Sequence, residues 1–153
     1  MAFILRWLSP LRSLLGRAVA PVLLSTCIAG AAAASCDGYW DEGDRLYDRA
    51  DALYLWAERG IESLRGASVD AATCNAIRSY RGMIGEARGA FRDSAESYRK
   101  AIFACADAYN STRDGYYLQL SEDARFNRDV SLEAVDYSGD LRDWLSREVR
   151  RCD

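Results

Sequence analysis

Ser97 and Lys100 stand in the order S-x-x-K, a spacing at which a lysine amine can activate a serine nucleophile. The motifs that accompany it, S-D-N and K-T-G, are absent, and Lys100 is the only lysine in the chain. Tyr98 and Ala101 belong to an apolar helical seam, which places the pair on a packing face. The chain has no histidine, so the usual general base, every Ser-His and Cys-His arrangement and the commonest zinc ligand are missing. No C-x-x-C occurs, which leaves thioredoxin-type redox chemistry and C-type haem attachment without support. Acidic residues abound, but no pair is singled out for glycoside hydrolysis. Asp41, Asp44, Asp48, Asp51 and Glu58 step along one helix face, with Arg45 and Arg49 interleaved. Calcium sites wrap a loop around the ion, so this stripe reads as a solvated face with i,i+4 pairs. The expectation is a protein that is not an enzyme and holds no cofactor and no metal.

A second constellation points to binding. Gly82, Gly85 and Gly89 lie on the outward side of a long helix, where each costs about 1 kcal/mol relative to alanine. Arg78, Arg81, Arg88 and Arg92 surround them. Guanidinium forks around a bare glycine floor suit a partner helix or an acidic ligand. These seven residues form the expected partner-binding site.

The elements that must position them follow from periodicity. Ile77, Ile84, Phe91, Tyr98 and Cys105 repeat every seven residues, and Tyr80, Ala87, Ser94, Ala101 and Ala108 run beside them. Such a pattern marks a helix, from about 70 to 109, packed against other helices. Upstream, three rows make one broad apolar face: Tyr39/Leu46/Leu53/Gly60, Trp40/Tyr47/Tyr54/Ile61 and Gly43/Ala50/Ala57/Leu64. Trp40, Tyr47 and Tyr54 are expected in the core wall; Tyr116 and Tyr117 are better placed for exposed contacts. Gly66-Ala67-Ser68 ends the first helix, and Ser68 or Asp70 can cap the second. After the turn cluster Asn110–Gly115 comes a helix to about Phe126. Asn127-Arg128-Asp129 then interrupts the pattern, and Ser131 caps a last segment with Val135, Ser138, Leu141, Leu145 and Cys152 on one side. The expected fold is all-α, an up-down-up bundle of three long helices with the third broken. Residues 89–102 resemble the second helix of a tetratricopeptide repeat, with a glycine, two aromatics and an Ala-Ile pair at similar offsets. The first-helix signature does not align, and no 34-residue period recurs.

Residues 1–34 read as a signal peptide and residues 35–153 as a single helical-bundle domain. Arg6, Arg12 and Arg17 precede the apolar stretch Ala18–Ala34, which ends in Ala32-Ala33-Ala34. Cys27 and Cys36 each follow a weak lipobox-like run, so membrane contact is expected only if one of them is lipidated. The full chain carries a formal charge of −3, and loss of three arginines with the signal makes the remainder more acidic. That balance argues against nucleic acid as a partner.

Four cysteines remain: Cys36, Cys74, Cys105 and Cys152. An even number in a short exported chain suggests two disulfides. Cys74 and Cys105 share one helix, about 46 Å apart at 1.5 Å per residue, and a disulfide needs Cα atoms within about 7 Å. Cys36 and Cys74 lie at opposite ends of the first helix. The pairing that remains is Cys36–Cys105 at one pole and Cys74–Cys152 at the other. The combined expectation is a periplasmic or secreted, non-catalytic protein that binds a protein partner, as an inhibitor, immunity-type factor or assembly adaptor. A bundle binding a lipid or small molecule is the alternative. Reduction should raise the intact mass by about 4 Da, two hydrogens per bridge. Peptide mapping should link Cys36 to Cys105 and Cys74 to Cys152, whereas free thiols would reopen the topology.

Overall fold

A computed structural model describes residues 9–152, with side chains from Gly30 onward. Residues 9–34 of the expected signal segment fall in that range, with side chains described only from Gly30, so Cys27 lies outside the residues whose side chains are described. Three helices follow in order: α1 Ser9–Ser63, α2 Ala71–Thr112 and α3 Gly115–Val149. No described helix is long and apolar enough to cross a membrane. Both α1 and α3 pack along α2 and meet each other far less.

Local chemistry sets the boundaries. The α1–α2 turn closes with Gly66 at φ 79°, a left-handed conformation that suits glycine. Asp70 caps α2 by accepting the Thr73 N–H at 2.8 Å. At the other end α2 outruns its expected stop. The hydroxyls of Ser111 and Thr112 donate to the carbonyls of Asp107 and Ala108, at 2.9 and 2.8 Å, instead of turning the backbone. Arg113 then takes a left-handed conformation and its N–H bonds Tyr109 O at 2.7 Å. Asp114 immediately caps α3 through Tyr116 N at 3.0 Å.

α1 settles on α2 along its small-residue row. Gly43, Ala50 and Ala57 are buried. They face the predicted seam, in which Ile84, Phe91, Tyr98 and Cys105 are buried as well. A Cβ on Gly43 would lie 2.8 Å from the Tyr98 ring, and one on Gly60 would collide with the Tyr80 ring. Glycine therefore lets the two backbones approach until aromatic rings rest on bare Cα atoms. Three edge-to-face pairs, Trp40–Tyr98, Tyr47–Phe91 and Trp56–Tyr80, line this contact at centroid distances of 5.2–5.8 Å. The aromatic wall expected from the sequence is present, with Trp40, Tyr47 and Tyr54 half-buried in it.

Buried serines bind the three helices together. Ser94 donates to Gly43 O on α1 at 2.8 Å and lies 3.3 Å from the Ser131 hydroxyl on α3. Ser97 donates to Tyr39 O at 3.0 Å, and Ser121 of α3 donates to Ile102 O at 3.0 Å. Hydroxyls matched to main-chain carbonyls let small side chains fill a close interface without leaving buried polar groups unsatisfied. Ser97 is committed in this way while Lys100 sits exposed near the Tyr39 ring, so the S-x-x-K spacing is structural here.

Two expectations need correction. The third helix is not broken: α3 runs from Gly115 to Val149 without interruption. Asn127 interrupts the apolar pattern because it serves as a polar contact to the Tyr98 hydroxyl, which also donates to Asp44 of α1. Ser131 does not cap a new helix but bonds back to Asn127 O at 2.8 Å. The central helix runs without interruption through Gly82–Gly89. A 42-residue helix without a turn is also not the paired-helix unit of a tetratricopeptide repeat.

The two disulfides close the poles as the length argument requires. Cys36 and Cys105 have Cα atoms 4.7 Å apart, and Cys74 and Cys152 have theirs 5.8 Å apart. They span 69 and 78 residues of sequence. The chain-entropy model gives loops of this size roughly 4 kcal/mol each.

Glycine substitutions should separate contact from propensity. Gly43→Ala should lose about 1–3 kcal/mol, because the buried Tyr98 ring cannot retreat. Gly82→Ala, with open space around its Cα, should gain up to about 1 kcal/mol. Urea unfolding of both variants checks the pair. Burial, then the bond to Asp44, raises the Tyr98 phenol well above its ordinary value. The folded state thus holds a proton that the unfolded chain releases near pH 10, so this stabilisation is full below about pH 10 and falls as pH rises further. Tyr98→Phe should be less stable at pH 7 yet lose less stability between about pH 9 and 11, as read by thermal melts.

Candidate functional site

The arginine–glycine constellation does gather into a groove. Gly82, Gly85 and Gly89 form its floor on α2, with Arg88, Arg92 and Glu86 beside them. α3 contributes Arg142, whose Nε lies 3.5 Å from where a Gly85 Cβ would be. The groove encloses about 370 Å³. Helix α2 supplies the floor because positions 82, 85 and 89 fall three and four apart, on the face turned away from α1. Gly139 on α3 completes the fit: its missing Cβ would stand 3.2 Å from the Arg88 guanidinium carbon. Arg88 is therefore laid flat against a glycine, and its Nε is buried without a hydrogen-bond partner among the described residues.

Not every expected residue joins. Arg78 hydrogen-bonds Asn75 at 3.3 Å, and neither Arg78 nor Arg81 lines the groove. Arg142 was missed because the sequence pattern gives no register between α2 and α3. Gly139 was the available signal: a buried glycine inside a helix implies that something large lies against it. The resulting site has three guanidiniums and one carboxylate around a floor without side chains. It can accept carboxylates or phosphates through several N–H donors at once.

A second recess runs along the seam where α1 and α3 fail to close. Near its middle Tyr47, Asp51 and Tyr54 of α1 face Ala134 and Tyr137 of α3 above Phe91, around a cleft of about 140 Å³. Further along, Ile61 and Leu64 face Leu141 and Trp144 above Ile77, in a wider cleft of about 450 Å³ beside the α1–α2 turn. Partial burial, then Asp51 and Asp48, raises the Tyr47 phenol above its ordinary value; burial, then Glu58 and Tyr137, does the same for Tyr54. The acidic stripe therefore borders this seam. Its expected i,i+4 partners are not taken up: Arg45 pairs with Glu42 at 2.6 Å. Asp51 and Glu58 enter no ion pair among the described residues. No group of three or more potential metal-ligating side chains comes together among the described residues.

Cys36, considered above for lipidation, has its sulfur bonded to Cys105. Two such bridges fit an oxidising compartment outside the cytosol. Comparison with protein families, with curated proteins and with solved structures returned no match.

Proposed function

We propose that this chain is a non-catalytic binding protein of the cell envelope or its surroundings, which grips a protein partner through acidic groups seated in the α2–α3 groove. One observation carries the reading: Arg88, Arg92 and Arg142, from two helices, converge on a glycine floor that exposes backbone. Three exposed-face glycines weaken α2, and a helix retains such a cost where a close approach from outside needs the room. Clustering like charges also disfavours the free protein slightly, and an acidic partner relieves it. The rigid frame supports this use. Disulfides at both poles and serine bonds across the core fix the groove before the partner arrives, which lowers the ordering cost of association. Export to an oxidising compartment and the absence of histidine throughout the sequence agree with a holding role.

The test is photocrosslinking from the groove floor. Benzoylphenylalanine at position 89 should give a discrete adduct in the native envelope, and the joined partner peptide should be rich in Asp and Glu. Arg88→Glu combined with Arg92→Glu and Arg142→Glu should reduce the adduct at least tenfold. The charge-matched set Arg59→Glu, Arg125→Glu and Arg147→Glu, exposed and away from the groove, should leave it within twofold. An adduct unaffected by the groove changes, or one that maps to a neutral surface, would sink the proposal.

A further inference from the structure

The seam between α1 and α3 is open along a length that matches one more helix. Its two clefts lie end to end: Tyr54 and Tyr137 bound the narrower, and one heptad further on Ile61 and Trp144 bound the wider. From Tyr47 to Leu64 the α1 wall extends about 26 Å, or some five helical turns. Apolar residues face outward here against expectation for a finished bundle. Tyr137 is 69% exposed and Trp144 40% exposed, though both lie beside buried core positions. Three helices with a groove of this kind present the geometry of a four-helix bundle that lacks one member.

Charge selects the occupant. Asp51 lines the groove, and Asp48 and Glu58 act on its tyrosines, whereas Glu148 at the far end is already paired with Arg151 at 2.8 Å. The arginine among the lining residues, Arg65, is already held by Glu62 at 2.8 Å. A second copy of this chain offers a poor fit, because its strongly cationic surface, around Arg88 and Arg142, is floored by glycines and has no apolar ridge to fill the groove. We propose that the α1–α3 groove is the docking site for a cationic amphipathic helix of a partner protein, with apolar side chains seated between Tyr54, Tyr137, Ile61 and Trp144 and lysines or arginines set against Asp51 and Glu58. This site lies on the other flank of α3 from the arginine groove, and it stands or falls independently of that reading.

The probe is a synthetic 18-residue Leu/Lys amphipathic helix, with a Leu/Glu isomer sharing its apolar face as control. Fluorescence anisotropy with the disulfide-intact protein should show saturable one-to-one binding of the Leu/Lys peptide that weakens as salt rises. The Leu/Glu peptide should bind at least tenfold more weakly. Asp51→Lys with Glu58→Lys should cost at least tenfold, and so should Tyr137→Glu, an exposed position where folding is not at risk. Asp107→Lys with Glu122→Lys applies the same charge change elsewhere and should alter binding less than twofold. Equal losses in both charge variants would reduce the effect to bulk attraction and overturn the proposal. A self-associated protein in sedimentation that turns monomeric on Tyr137→Glu would assign the groove to a second copy instead. One-to-one uptake of dodecylphosphocholine monomers that blocks the peptide would assign it to a single-chain amphiphile.

Discussion

The close approach of α1 to α2 at Gly43 governs the rest of the molecule. There the Ser94 hydroxyl bonds the Gly43 carbonyl, and the Tyr98 ring occupies the space a side chain at 43 would take. The same ring carries its hydroxyl to Asp44 on α1 and to Asn127 on α3. One side chain thus sets the spacing of the first two helices and the register of the third. Since Asp44 and Asn127 both meet the buried phenol, sliding either helix by one turn would strand a polar group in the core, at a cost of about 1–3 kcal/mol. Apolar burial alone would tolerate such slips more readily, because alanines and serines make a nearly uniform surface.

A core of this composition has a consequence for stability. Small side chains bury little area each, and the hydrophobic return follows area. The largest fully buried side chains include Ile84 and Leu145, with cysteines and serines making up the remainder. The buried rings of Phe91 and Tyr98 compensate in part, while Trp40, Tyr47 and Tyr54 lie half-buried at the flanks. Disulfides at both poles act on the other side of the balance by restricting the unfolded chain. The bridges and the thin core are therefore one design: a slender bundle of long helices holds together because its ends cannot separate.

Much of this was legible in the sequence, and the limits have physical causes. The seven-residue rows located α1 and α2 and their shared face, since an interface between long helices imposes that repeat directly. Helical rise alone fixed the disulfide pairing by excluding bridges along a single helix. The break assigned to Asn127-Arg128-Asp129 was wrong because a polar residue in an apolar row has two causes. It can mark a loop, or it can answer a buried hydroxyl on a neighbouring helix, and only the register between helices distinguishes them. Arg142 escaped notice for the same reason. Gly82, Gly85 and Gly89 were legible because their cost is local; the residue that covers them was not.

α3 then emerges as the element that gives the protein its two faces. Its buried edge, Ser121, Ala124, Ser131, Val135 and Leu145, follows α2. One flank brings Arg142 over the glycines of α2, while the other leaves Tyr137 and Trp144 facing α1 across an open seam. A helix lying symmetrically in the trough between α1 and α2 would have covered the aromatic seam and buried Tyr137. By leaning mainly on α2, α3 leaves an acidic, apolar groove on one side and a cationic, bare one on the other. On the two proposals made above, the arginine groove takes acidic groups and the seam takes a cationic helix, and complementary charge at each flank disfavours exchange of the two segments. That pairing suits an adaptor that bridges two surfaces better than an inhibitor that blocks a single active site.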